Sequence, residues 1–284
     1  MIDKEAVLAS IAEPMQRYHK KMTRDLKDWM PLEDAARLLL EGKLIVYEEY
    51  IPDFRPLIKM MELIVEKAGG PGWDWADPEI RRVFKEVAEG NIYALFSEVI
   101  VDMLISIMKR VPVRTVVEVG TGPGTVTANL CRTMVENHFE HIPLVISDRV
   151  PFITQVGDTL RKAYPSLSIS DFIWNVRESA PEELKKQLAH PVLLFERFCM
   201  PYTGSAAIEN IAPLGDILII VDDLSLTGKK YAYDHIYGKI GTQFLVFEEA
   251  KKRLEKYFSF IHACDREAAE AIHSPVITFT LAVK

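Results

Sequence analysis

The residues whose types and spacing could do chemistry gather around one stretch, 115–130, which reads TVVEVGTGPGTVTANL. A short β-prone run (Thr115, Val116, Val117, Val119) is broken only by Glu118. Glycines follow at alternate positions, Gly120, Gly122 and Gly124, and then an apolar-periodic helix start. Strand, glycine turn, helix is the layout of a nucleotide-type cofactor loop in an open α/β sheet. Glycine lets the chain turn tightly and lets a ligand approach backbone that carries no Cβ. The helix beyond points its unpaired N–H groups and positive dipole end into the turn. Spacing narrows the choice of ligand. A dinucleotide fingerprint needs a third glycine at position 125, where this chain has Thr125; the pattern here is E-x-G-x-G-x-G, starting from Glu118.

Acids at other strand ends come next, because in an open α/β sheet the ligand lies outside the carboxyl ends of the strands. Asp148 closes the second expected strand, where a carboxylate can accept both hydroxyl hydrogens of a ribose; the competing reading is a helix N-cap, with Pro151 just beyond. Asp171 is expected at the end of the third strand, followed by Phe172, Ile173 and Trp174 as an apolar wall. Glu196 ends the fourth, in FERFCMPYTG with Arg197, Cys199 and Tyr202, and the pair Asp222-Asp223 ends the fifth. Converging carboxylates either repel, raising at least one pKa, or find a cation; Arg197 is the expected partner. A divalent cation held by Glu196, Asp222 and Asp223 is the alternative, since magnesium favours oxygen-only sites. For proton removal, His138, His141 and His190 fall in loops on the far side of the sheet, while His235 and His262 remain as candidates. His235 lies in GKKYAYDHIYGKIG with Tyr231, Tyr233 and Tyr237, the expected substrate cover.

Positioning these groups requires two regions. Residues 1–110 read as helices without a strand. Pro31 opens a helix at Leu32, a further helix spans 57–67, and Gly69-Gly70 leads into a loop carrying Trp73 and Trp75, expected to plug a gap between helices, with a lid over an aromatic substrate as the alternative. Asp77-Pro78 caps and starts the next helix. The run 91–110 keeps the i, i+3, i+4, i+7 rhythm, with apolar residues off the stripe as well, so it is expected to be buried on more than one side and is a candidate dimer face. From residue 113 strands and helices alternate, which implies a mostly parallel sheet covered on both faces. The expected strands are 113–119, 143–147, 167–172, 192–195, 216–221, 257–263 and 276–283.

Composition bounds the rest. The chain has 284 residues, 49% of them hydrophobic and 26% charged, as ordinary globular domains have. A net charge of −7 argues against a nucleic-acid surface. Cys131, Cys199 and Cys264 form neither a zinc spacing nor a disulfide framework, and reduced thiols are the simple reading. With no apolar leader core and no run of 18 apolar residues, a cytoplasmic location without a membrane partner is the expectation.

The acid, the alternating glycines and the flanking strand and helix resemble motif I of the class I S-adenosylmethionine (SAM) methyltransferases, over about residues 113–284. The resemblance implies an α/β fold: a seven-stranded, mostly parallel Rossmann-like sheet with the last strand antiparallel and helices on both faces, preceded by an all-α N-terminal domain (1–110; 111–284). It implies SAM as cofactor, with Glu118, Gly120, Thr121, Gly122 and Gly124 around its methionine end and Asp148 on the ribose. Asp171 and Phe172 would then lie at the adenine and Glu196 near the methyl region, with Tyr202 and His235 as candidate catalytic groups. The implied activity is methyl transfer to oxygen, nitrogen or carbon of a small molecule, in a homodimer joined through the helical domain. Its rivals are SAM binding without turnover, as a sensor or interaction module, and a NAD-dependent oxidoreductase, which Thr125 disfavours. LIIVDDLSLTG also resembles the cation-dependent catechol-type enzymes, although Glu196-Arg197 departs from their usual Asp-x-Asp.

Overall fold

The computed structural model describes residues 2–29, 63, 66–67, 77–89, 91–197, 199, 203–226, 245–271 and 276–284. The expected helix at 32–40, most of that at 57–67 and the loop with Trp73 and Trp75 lie outside the described residues. So do Tyr202, Tyr231, Tyr233, His235 and Tyr237.

Three helices precede the sheet among the described residues: α1 (Lys4–Trp29), α2 (Pro78–Glu89) and α3 (Asn91–Arg110). Asp77 caps α2 as its sequence implies, its Oδ1 accepting the Glu79 and Ile80 N–H groups at 2.8 and 3.3 Å. The bounds of α3 match the periodic run, and Val99, Ile100, Val101, Met103, Leu104, Ile105, Ile107 and Met108 are all buried. They pack within the chain, in one core with Val7, Ile11, Met15 and Tyr18 of α1 and with one face of the sheet. Over residues 97–110, therefore, α3 presents no apolar face to a second copy, because α1 and the sheet already cover it.

The α/β part follows as β1 (Thr115–Val119), α4 (Thr125–Glu136), β2 (Leu144–Asp148), α5 (Ile153–Ala163), β3 (Ile169–Ile173), α6 (Glu182–Lys186) and β4 (Val192–Arg197). After it come α7 (Ile208–Ile211), β5 (Ile217–Ser225), β6 (Leu245–Val246), α8 (Phe247–Leu254), β7 (Phe260–Ala263), α9 (Arg266–Ala271) and β8 (Val276–Val283). Strand order is β3-β2-β1-β4-β5-β8-β7, with the short β6 added beside β5. Pairings from β3 through β5 are parallel, and β8 is antiparallel to both β5 and β7. The mostly parallel sheet with an inserted antiparallel strand is the expected one.

Side chains alternate across the sheet and build two cores. Val116, Phe195, Ile219, Val221 and Phe279 face α1, α3, α4 and α5. Val117, Val119, Leu194, Ile220 and Ala282 face α6, α7 and α8. Two strand ends differ from expectation. β3 continues to Ile173, so Asp171 is its middle residue. β5 runs through Asp222-Asp223 to Ser225, because Leu224 and Ser225 pair with Ile277 and Val276 of β8 across a register shift. Acids are poor strand formers, but pairing to a long neighbour overrides propensity.

Candidate active site

The direction of winding reverses between the parallel strands β1 and β4: from β1 the chain winds outward to β2 and β3, then returns to lay β4 on the other side. This topological switch opens a crevice at the strands' carboxyl ends, and the glycine bend sits in it. Gly120, Gly122 and Gly124 all have positive φ (71°, 58° and 79°), a region that strains residues with a Cβ. Space for a side chain is short as well at two of them. A Cβ on Gly124 would lie 2.5 Å from Val156 Cγ1, and one on Gly120 would lie 3.1 Å from Cys199 Sγ.

Neighbouring β2 fixes the bend. The Gly120 and Thr121 N–H groups donate to Ser147 O at 2.9 and 3.0 Å, and Ser147 Oγ donates to Glu118 O at 3.1 Å. Asp148 Oδ2 accepts the Gly122 N–H at 2.8 Å, and its Oδ1 accepts the Val150 N–H at 3.0 Å. Burial pushes the Asp148 carboxyl above its ordinary value, and those two N–H groups oppose the shift. A carboxylate has about four lone-pair sites, so acceptor capacity is left for a hydroxyl. Helix α4 starts at Gly124 without a side-chain cap, so its first N–H groups border the bend.

Glu118 projects from β1 to the α4 side, where the Thr127 hydroxyl donates to its Oε2. It is only 3% exposed. Burial pushes its carboxyl up to about 7, against the Thr127 hydroxyl, the charge of Arg197 and the Thr121 hydroxyl. Sequence reasoning missed Thr127; the signal was a hydroxyl in the first turn of the helix that follows the glycines.

Glu196 and Asp222 lie on the other face. Register pairs Glu196 with Ile220, and Asp222 follows Val221 on β5. Both are fully buried. Glu196 Oε2 accepts the Cys199 N–H at 3.1 Å. Burial pushes the Cys199 thiol well up, reinforced by the charges of Glu196, Asp222 and Asp148. Cys199 thus stands between these acids and Gly120. The expected compensation by Arg197 is not what the structure shows. Arg197 alternates with Glu196 along β4, and its Nη1 donates to Ser97 Oγ on α3 at 3.0 Å, on the Glu118 face. Among the described residues no three His, Cys, Asp or Glu side chains group as a metal site; the Asp223 side chain is outside them.

Asp171 is not brought to the bend. From the middle of β3 its Oδ1 meets Arg161 Nη1 of α5 at 2.6 Å, and a Cβ on Gly157 would lie 2.4 Å from it. Phe172 is half-buried against the opposite core. Ile173, at the end of β3 and in register with Asp148, is 54% exposed, and it sits where the apolar wall was expected. Trp174 is buried, donating its backbone N–H to Asp148 O at 2.8 Å. His190 is at the far end of the sheet, bonded to Asp216. His262 stacks on Phe260 in the edge strand β7, with β5 and β8 between it and β4.

No protein-family model and no curated protein matches the sequence. Solved structures do. The DszA carbon methyltransferase is 14% identical, with a TM-score of 0.60 over 82% of this chain and 66% of its own. The methyltransferase domain of the citrinin polyketide synthase is 15% identical, with 0.58 over 86% and 68%. An O-methyltransferase family protein from Burkholderia thailandensis is 13% identical, with 0.51 over 80% and 70%. The chain therefore spans about two thirds of the length of the carbon methyltransferases it resembles. At these identities the likeness is one of fold: the chain has the fold of the class I SAM-dependent methyltransferases.

Proposed function

We propose that this protein is a SAM-dependent methyltransferase that acts on a small molecule. The observation that carries the reading is the bend 118–124: three left-handed glycines at the switch point, bordered by an uncapped helix start and two buried carboxylates, Glu118 and Asp148. The residues present fit the cofactor. Gly120, Gly122 and Gly124, with Thr121 between them, bring backbone without side chains to the crevice, Glu118 would answer an ammonium group, and Asp148 would accept ribose hydroxyls. Ile173 offers an apolar edge beside Asp148. Asp171 is left out of the cofactor set, because Arg161 holds it.

Bound SAM would supply an electrophilic methyl group on a sulfonium that leaves as a neutral thioether. The protein's work is then alignment and handling of one proton. Ser147 and Asp148 hold the bend in a fixed shape, so binding need not organise it. Glu196 holds the backbone at Cys199 and so shapes the floor opposite Gly120. Tyr202 and His235 remain the proposed groups for the acceptor and its proton. The net charge of −7 supports a small acceptor rather than nucleic acid.

The test is thermal unfolding with SAM, its demethylated product S-adenosylhomocysteine (SAH), and NADH, followed by methyl-transfer assays on phenols, amines, thiols and carbon acids. At about 100 times Kd, SAM should add ~2.7 kcal/mol, or about 5 °C in a chain of this size. A shift with NADH and none with SAM or SAH would overturn the reading. SAM binding without transfer to any acceptor would favour the sensor.

A further inference from the structure

Arg197 was expected to neutralise the acids at the ends of β4 and β5, yet it serves the other face. Register pairs Glu118 with Phe195, and partners in a parallel sheet share a face. Arg197, two residues beyond Phe195, therefore belongs to the Glu118 side, and its 3.0 Å bond to Ser97 fixes it against α3. That link spans 100 residues of sequence and joins the helical region to the wall of the bend.

We propose that Arg197 is a positioning residue for cofactor binding, its guanidinium anchored by Ser97 of α3 so that it braces the Glu118 side of the bend. The ligand named here rests on the methyltransferase reading; the bracing does not. A buried carboxylate is costly unless hydrogen bonds and an opposite charge compensate it. Thr127 supplies a hydroxyl. Of the charged groups that bear on Glu118, Arg197 favours its ionised form and Asp148 opposes it; Cys131 of α4, its thiol pushed up to about 12 by burial and then by Glu118, stays neutral. Losing Arg197 would leave Glu118 protonated at a pH where an ammonium ligand needs its charge. Movement of α3 would reach the bend through the same bond.

Calorimetric titration of SAH into wild type, R197M, R197K and S97A from pH 6 to 9 tests this. Wild-type affinity should strengthen through about pH 7. In R197M the midpoint should move up by about one pH unit, R197K should restore it, and S97A should move it the same way by less. An unmoved midpoint in folded R197M would overturn the proposal; should R197M not fold, S97A carries the same comparison. If the wild type binds neither SAM nor SAH, the methyltransferase reading fails and the apo chain decides. Between pH 7 and 9, R197M should then lose thermal stability relative to wild type, and adding E118Q should abolish that difference. Identical apo profiles would overturn the bracing itself.

Discussion

The two faces of the sheet bring different acids to the crevice, and they hold them differently. On the α3–α4 face, buried Glu118 takes the Thr127 hydroxyl, with the charge of Arg197 favouring its ionised form and that of Asp148 opposing it. On the α7–α8 face, Glu196 and Asp222 are buried near each other, with a backbone N–H and the Cys199 thiol between them and the bend. Read along the chain, Glu196 and Arg197 are neighbours and look like partners. The pleat separates them, because neighbours in a strand point to opposite faces. On the α3–α4 face, Arg197 favours a carboxylate ready for a cationic ligand group; on the other, Glu196 fixes backbone at Cys199.

The largest effect should come from the bend that both faces flank. Gly124→Val places a β-branched residue at φ 79° with its Cβ 2.5 Å from Val156. Urea unfolding should show a loss of about 3 kcal/mol, with SAH binding abolished. Glu118→Gln comes next, with SAH affinity about 30-fold lower at pH 8, the worth of a charged hydrogen bond, and its rise through pH 7 flattened. Stability should move the other way. Because the folded chain holds this proton more tightly than the unfolded one, Glu118's contribution is present at low pH and is lost as pH rises to about 7. E118Q should lack that decline in a thermal series from pH 5 to 8.

On the opposite face, Glu196→Gln keeps an acceptor for the Cys199 N–H. SAH affinity should fall less than about ten-fold, with the wild-type pH midpoint retained. A shifted midpoint would merge the two faces into one titrating unit and break the comparison. Smallest of all, Asp171→Asn removes a pair whose arginine is 37% exposed. It should cost under about 1 kcal/mol in urea unfolding and leave SAH affinity within about two-fold.

The contrast also explains what was legible beforehand. The bend could be read because its cause is local: glycines at alternate positions need no partner to announce a turn. The same holds for the Asp77 cap and for α3, whose rhythm spans its whole length. Arg197 could not be assigned from types alone. Its face follows from β4 pairing in register with β1, a contact between distant segments. Asp171 looked like a strand end because β3 was expected to stop at residue 172, while pairing of Asp148 with Ile173 carries it further. β5 passes through Asp222-Asp223 because β8, the chain's last strand, lies beside it. In each case a residue's chemical type was visible early, and its direction waited on a neighbour far away in sequence.

The most direct measurement is a crystal structure of the protein with SAH. The amino-acid end of SAH should lie within the turn formed by Gly120, Gly122 and Gly124, on the Glu118 side, with its ribose hydroxyls on Asp148. Density against Glu196 and Asp222 with the glycine turn unfilled, or SAH bound elsewhere on the chain, would contradict it.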